Sequence, residues 1–423
     1  MLVISFLPIL IIIIGGYFLM KLRFFFILHP IKTAGQIKRT MKSKEARGSL
    51  SLALAGTLGV GNIVGVAYGI SVGGAGSLFW IFVSSAFAAV IKYAESTLAA
   101  DNIFFGHGGM NYVMEKAFRT FGRVFGKLYS LFCLFLSFTM GTSLQVNSVT
   151  ASLLPEKKNI THIVLLLFFL LVFFVVVGGS KKIERVTAKL IPLSTVIYVV
   201  LCLGVIFSNI DKLPEVFVRI VKEAFGFRSG VGGVSAFLAI NSMREGFARG
   251  LLSNEAGAGT SAMAETRSKK SPHETGLFGM CEVFFDTVLL CTLTGLAILT
   301  SSAGLGAESG ISIVSSAFFS VFGKFGTYTL FLLIFAFAFS TVICWYYYGV
   351  SSAEYLFGRR LGGAYTLVFL LSILLADRLS TDFIILSSDL LLFFMTLLTS
   401  LTLIKKSERI LHLSEKLLKN SDI

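Results

Sequence analysis

Charge is scarce in this chain. Asp, Glu, Lys and Arg make up 14% of 423 residues, and apolar types make up 55%. A soluble fold of this size cannot hide so much apolar surface, so the sequence reads as an integral membrane protein. The short alternating segments of a membrane β-barrel are lacking. The apolar runs are long and continuous, and 42 phenylalanines suit lipid-facing helices. No CxxC pair occurs. Cys133, Cys202, Cys281, Cys291 and Cys344 all fall in apolar runs, read as packing residues and say nothing of redox compartment. HExxH and GxxxxGK[ST] are absent too, which leaves metalloprotease and ATP-driven pump readings without residues. The apolar run 2–20 lacks a basic leader and a small-residue cleavage site, so a retained first span is expected rather than a signal peptide.

Eleven stretches are expected to span the bilayer: 2–20, 49–71, 75–99, 127–152, 162–179, 187–208, 232–255, 275–300, 325–349, 361–376 and 383–404. Most reach the ~20 residues that cross the hydrocarbon core. Alternate loops hold 26 of the lysines and arginines, against 8 in the other set. That asymmetry predicts a multi-pass protein of the cell (inner) membrane, with the N-terminus outside and the C-terminus cytoplasmic. It also accounts for the +14 net charge, through a basic face beside anionic lipid, with no nucleic-acid partner implied.

Two stretches are too polar or too glycine-rich for lipid-facing helices. One is GTLGVGNIVG, residues 56–65, in the second span. The other is NSMREGFARGLLSNEAGAGTS, residues 241–261, in the seventh. A pair of interrupted helices in corresponding halves points to a transporter's midplane site. The expected organisation is a peripheral helix 1–20, a five-helix repeat 49–208, an inverted five-helix repeat 232–404, and a tail 405–423. Gly59 and Gly61 permit an unwound turn at low steric cost. Freed amides there could hold a carboxylate, freed carbonyls Na⁺, and Asn62 either one. The alternative is packing. Gly61, Gly65, Gly69 and Gly73 repeat every four residues, the small-residue pattern of helix interfaces.

The segments 56–99, 178–192, 244–265 and 337–358 together resemble the alanine/glycine:cation symporter family, in family order and over nearly the whole chain. The resemblance implies an all-α, leucine-transporter-like fold with broken helices. It implies symport of alanine or glycine with Na⁺, sometimes H⁺, and no further cofactor. On this reading Gly59, Val60, Gly61, Asn62 and Gln145 contact the substrate, with Gln145 at its carboxylate; the competing reading of Gln145 is an interhelical hydrogen bond. Trp345 would cap a pocket for small side chains. Na⁺ would lie at Thr57, Leu58, Ser340 and Thr341. Val60 stands where family members often carry a polar residue, and Thr142 and Ser143 where an asparagine-rich motif is expected.

Other polar residues have competing readings. Asn241, Ser242 and Gly246 could line the second broken helix. A Ser-Thr pair such as Ser340-Thr341 often bonds its own preceding turn, and Trp345 could belong to an interfacial belt. Arg249 and Glu255 are expected at a gate or in structural ion pairs, Lys92 and Glu95 as a structural pair three residues apart. Asp286, in mid-span, could carry a proton or orient the site. Two remoter readings are a passive channel and an intramembrane hydrolase using Ser71, the centre of GISVG.

Overall fold

Ser43, Ser271 and Ser380 each open a helix. Ser43 and Ser380 accept from the backbone N–H three residues on, at 3.2 and 3.4 Å, and Ser271 forms a capping box with Glu274. The computed structural model describes residues 2–103, 108–153, 160–226, 232–301 and 310–419. Lys157, Lys158 and Arg228 of the loop tally lie outside them. Among the described residues the chain is helical, with no strand.

Among the described residues, six helices are long and apolar enough to cross a membrane: Gly76–Asp101, Gly122–Ala151, Ser180–Ser208, Pro272–Ser301, Ile311–Phe357 and Thr381–Lys405. A seventh span is counted when Lys44–Thr57 and Gly61–Gly73, bent by 44°, are taken together. Leu2–Lys21, Thr161–Val176, Gly232–Asn254 and Arg359–Leu375 are helical as well, so all eleven expected stretches fall on helices. Length and apolarity alone mark only the seven. Ile311–Phe357 begins well before the expected 325 because Gly323, at φ 56°, turns a preceding helical piece into it.

Among the described residues, four further helices of eight residues or more were not expected: Pro30–Thr40, Met110–Ala117, Leu213–Ala224 and Ser407–Lys419. The last fastens the basic end of the bundle. Lys21 pairs with Glu408, Arg409 pairs with Asp101, and Tyr93 donates to Ser414 at 2.8 Å.

Gly76–Asp101 lies at the centre, against both Pro272–Ser301 and Gly232–Asn254. Ile311–Phe357 packs on Gly122–Ala151 and Ser180–Ser208. The glycine repeat is an interface. A Cβ on Gly69 would stand 3.0 Å from Arg249, and one on Gly61 would stand 3.7 Å from the Leu252 carbonyl. The first broken helix therefore lies along Gly232–Asn254 on its small residues. Thr161–Val176 and Ser180–Ser208 turn Ile163, Leu166, Phe174, Val196 and Val200 outward, the pattern of a lipid face.

Gly279 shows how tight the centre is, since its Cβ would lie 2.9 Å from the Lys92 carbonyl oxygen. Gly279→Ala should cost about 1–3 kcal/mol by forcing the two helices apart. Gly16, with nothing within 4 Å of an added Cβ, should tolerate alanine. Thermal unfolding of the purified protein in detergent, comparing the two variants, checks this; equal midpoints would refute the close approach.

Candidate functional site

Leu58, Gly59 and Val60 separate the two halves of the first broken helix. Leu58 N–H still donates to Leu54 at 2.6 Å, and Gly59 N–H turns back to Thr57 at 2.7 Å. Val60 N–H leaves the helix altogether and donates to Gln145 Oε1 at 3.0 Å. Gln145 is held in turn through Nε2, which donates to the Met140 carbonyl at 3.2 Å. Gly59 admits no side chain: a Cβ would lie 2.6 Å from Thr341 Oγ1 and 3.1 Å from Gln145 Oε1. The break is thus enclosed by Gly122–Ala151 on one side and Ile311–Phe357 on the other.

Three π-helical turns surround it: Gly61–Gly65, Thr139–Ser143 and Phe284–Cys291. Each inserts an extra residue per turn, which re-aims the side chains that follow. Asn62 lies in the first, Gln145 just after the second and Asp286 in the third.

Asp286 is the junction of a buried polar network. Asn62 Nδ2 donates to Asp286 Oδ1 at 2.6 Å, and Ser253 and Thr287 donate to Oδ2 at 2.7 and 2.8 Å. Asn254 Nδ2 donates to Thr287 Oγ1 at 3.0 Å, while its Oδ1 accepts from Ala256 N–H. Asn62 Oδ1 has no donor. The network joins the first break to the end of Gly232–Asn254, where a second break begins. Residues 255–261 leave the helix, with Glu255, Gly257 and Gly259 at φ 56°, 88° and 69°.

The expected residues divide accordingly. Gly59, Val60, Gly61, Asn62, Gln145 and Thr341 come together, and Thr57 and Leu58 lead into the break. Thr341 Oγ1 is buried without a partner and faces Gly59. Ser340 bonds its own helix, at Ala336 and Phe337. Trp345 is fully buried against Gly141, one turn from Gln145, with its indole N–H unpartnered; it lies in no interfacial belt.

Asn241 and Gly246 lie elsewhere, because the second break falls at 255–261 and not at 241–246. Asn241 Nδ2 donates to the Val72 carbonyl at 2.8 Å, Ser242 donates to the Gly73 carbonyl, and Gly246 packs on Ser77 and Trp80. They anchor the far half of the first broken helix.

The expected ion pairs also change partners. Lys92 reaches Glu282 at 3.1 Å rather than Glu95. Arg249 meets Asp389 at 2.5 Å and Glu245 at 3.6 Å, beneath the Tyr68 ring, while Glu255 accepts from Thr260. Ser253, Asn254, Thr287 and Asp389 were missed by sequence reasoning. For Asp389 the signal was available: an isolated carboxylate inside an apolar helix. Ser71 is exposed and donates to the Tyr68 carbonyl on a plain helix, so no strand–turn–helix nucleophile exists there.

A cavity of about 950 Å³ runs beside Lys44–Thr57 and Ser180–Ser208 to Leu54, Leu58 and Phe285. Lys44, Arg47, Lys181, Arg185 and Lys189 line it, against Glu45 and Glu184. It connects the basic end of the bundle with the edge of the first break.

Comparison with known proteins gives a consistent result. The sequence model of the "Sodium:alanine symporter family" matches residues 1–420. An uncharacterized transporter of Haemophilus influenzae is 30% identical over 90% of this chain and 87% of its own. The sodium/alanine symporter AgcS of Methanococcus maripaludis is 32% identical over 76% of this chain and 73% of its own. The probable sodium/glutamine symporter GlnT of Bacillus subtilis is 31% identical over 81% and 73%.

The contact at Gly59 can be tested apart from function. Gly59→Ala should lower thermal stability, and Thr341→Ala in the same protein should restore part of the loss, a coupling of about 0.5–3 kcal/mol for residues in contact. A double-mutant cycle of melting midpoints measures it. Strict additivity would mean that the two residues do not meet.

Proposed function

Because the chain belongs to the sodium:alanine symporter family, whose members are transporters and not enzymes, we propose that it couples uptake of a small neutral amino acid to Na⁺ by alternating access. The proposal includes eleven membrane helices: a peripheral first helix followed by two inverted repeats of five. The observation that carries it is the meeting of two broken helices through Asn62, Asp286 and Ser253. A helix gives up its hydrogen bonds inside a bilayer only where protein or a ligand replaces them.

In this reading the amides and carbonyls around Gly59–Val60–Gly61–Asn62 receive the zwitterion. Gln145 turns its Nε2 from the Met140 carbonyl to the substrate carboxylate, and the Val60 N–H that its Oε1 gives up becomes a further donor there. The positive end of the helix that restarts at Gly61 adds to that attraction. Na⁺ is placed between the Thr57 and Leu58 carbonyls and the hydroxyls of Thr341 and Ser340, a set of hard oxygen donors. Thr341 has an unpartnered oxygen to offer, and Ser340, which bonds its own turn as a donor, keeps its oxygen lone pairs for the ion. An ion there ties the first broken helix to Ile311–Phe357. Trp345, packed beside Gly141, restricts the space left for a side chain.

The two routes to the site are placed as follows. The basic cavity is the cytoplasmic path, by the positive-inside tendency. The Arg249–Asp389 pair closes the outer path, linking Gly232–Asn254 to Thr381–Lys405. The membrane potential then drives accumulation: one charge moved through ~100 mV is worth ~2.3 kcal/mol. A channel has no such pair of closures and cannot concentrate its solute. The family also includes a relative named for glutamine, so side-chain size is the property to vary.

The test is counterflow and uptake in proteoliposomes over a panel of amino acids, with Na⁺ and pH varied separately. Alanine or glycine should accumulate against its gradient only with a Na⁺ gradient. Gln145→Ala should raise the substrate concentration required by about ten- to a hundredfold, matching the ~1.5–3 kcal/mol of a hydrogen bond to a charged group. Thr341→Ala should raise the Na⁺ requirement. No exchange of any small neutral amino acid would end the substrate assignment, and unchanged kinetics in Gln145→Ala would remove that residue from the site. Asp389→Asn should speed leak of preloaded solute; an unaltered leak would argue against the outer closure.

A further inference from the structure

We propose that Lys92, Glu95, Glu255, Glu265 and Glu282 form a proton-binding latch that fastens the second break to the helices Gly76–Asp101 and Pro272–Ser301. All five side chains are fully buried, at 0% exposure. Lys92 donates to Ser261 at 2.7 Å and to Glu282 at 3.1 Å. It supplies one positive charge, and four carboxyls surround it. Ionised carboxyls withdrawn from water without partners cost several kcal/mol each, so such groups take up protons instead.

A separate observation places one of these protons. Neither oxygen of Glu265 has a donor within hydrogen-bond geometry. The groups facing Glu265 are the Glu282 carboxyl and the Ser96 hydroxyl, and Glu282 Oε1 is equally without a donor. Two ionised carboxylates present only acceptors to each other. One proton on either residue converts that repulsion into a hydrogen bond. Glu95 lies beside the Gly257 and Gly259 amides of the break but outside strict bonding geometry.

The members come from both sides of a joint. Glu255, Ser261 and Glu265 belong to the break and its following turn. Lys92, Glu95 and Glu282 belong to the two long helices. Movement of residues 255–265 away from those helices separates Glu265 from Glu282 and admits water, and a hydrated carboxyl gives its proton up. Proton occupancy and the position of this segment are therefore linked, each biasing the other.

The remaining titratable groups around the cluster do not replace the proton. Pro272–Ser301 adds Cys281 and Asp286. Gly122–Ala151 adds Tyr129 and Cys133, and Ile311–Phe357 adds Cys344 and Tyr348. Thiols and phenols carry no charge near neutral pH unless activated. Asp286, when ionised, adds a further negative charge and strengthens the demand for a proton.

The proton itself does not depend on what the protein carries; only the latch's place in a transport cycle rests on the symport reading. Infrared spectra of the reconstituted full-length protein, in H₂O and D₂O, should show a protonated-carboxyl band at neutral pH. Glu265→Gln and Glu282→Gln, which keep shape and donate a hydrogen bond, should diminish that band, and Glu215→Gln at the exposed surface should not. A wild-type protein without the band, or a band equal in all variants, overturns the proposal.

Hydrogen–deuterium exchange of peptides covering 254–268 tests the latch. After correction for intrinsic rates, exchange should quicken with rising pH in the wild type and lose that dependence in Glu265→Gln. Protection independent of pH in the wild type overturns the latch. Passing both tests without any solute flux would sink the symport reading and leave the proton in place.

Discussion

A peptide group released from a helix at membrane depth has no water to turn to. Each such group costs several kcal/mol unless protein satisfies it, and this constraint organises the centre of the molecule. Val60 N–H goes to Gln145 because it has lost its own helix. Gln145 can reach it because the π turn Thr139–Ser143 re-aims the helix that carries it. Asn62 finds Asp286 through a second π turn, and Asp286 is held by the hydroxyl of Ser253, at the end of the other broken helix, and by that of its neighbour Thr287. Removal of the first break would leave the rest of this polar core without its reason to be buried.

The two breaks solve the same problem differently. The first is three residues long and draws its partners from distant parts of the chain, as the 85-residue separation of Val60 from Gln145 shows. The second spans residues 255–261 and supplies much of its own satisfaction. Asn254 caps Ala256, and Thr260 donates to Glu255. Its backbone passes through the left-handed region at Glu255, Gly257 and Gly259. A glycine adopts that region freely, whereas Glu255 does so at some cost in strain. In the proposed cycle the short break serves as the binding surface and the long one as the joint.

Some of this was legible in the sequence because the signal was local. Gly59 and Gly61 around a valine, followed by Asn62, leave few other uses for an amide in an apolar run, and the four-residue glycine spacing declared an interface. The position of the second break was not legible. Polar residues at 241–249 and at 253–261 look alike in composition, yet the first group bonds carbonyls and a carboxylate of other helices, while the second bonds partly within itself and partly to Asp286, Thr287 and Lys92. The difference between Ser340 and Thr341 is of the same kind. Adjacent residues on a helix face directions about 100° apart, so one hydroxyl turns to its own helix and the other to Gly59. Partners across long sequence separations were hidden altogether: Lys92 finds Glu282 and Arg249 finds Asp389, 190 and 140 residues away.

The placement of charge also bears on how the molecule changes shape. The far end of the first broken helix is shut by the buried Arg249–Asp389 pair and by Asn241 and Ser242 on the Val72 and Gly73 carbonyls. The basic end is open as far as Leu58. Buried ion pairs contribute little net stability against a well-packed apolar alternative, because desolvation offsets attraction. Their value is that they are all-or-none: a separated pair buried without water is costly, and a hydrated pair is not. A closure made from such pairs therefore has two comfortable states, closed and dry or open and wet, and few between. The same holds for the carboxyls around Lys92 at the second break. On the proposed symport reading, a bundle with one such contact across its outer path and another at its second break exchanges which end is wet without a large change in total free energy. That near balance lets a small ligand, whose differential affinity amounts to only a few kcal/mol, decide between the states.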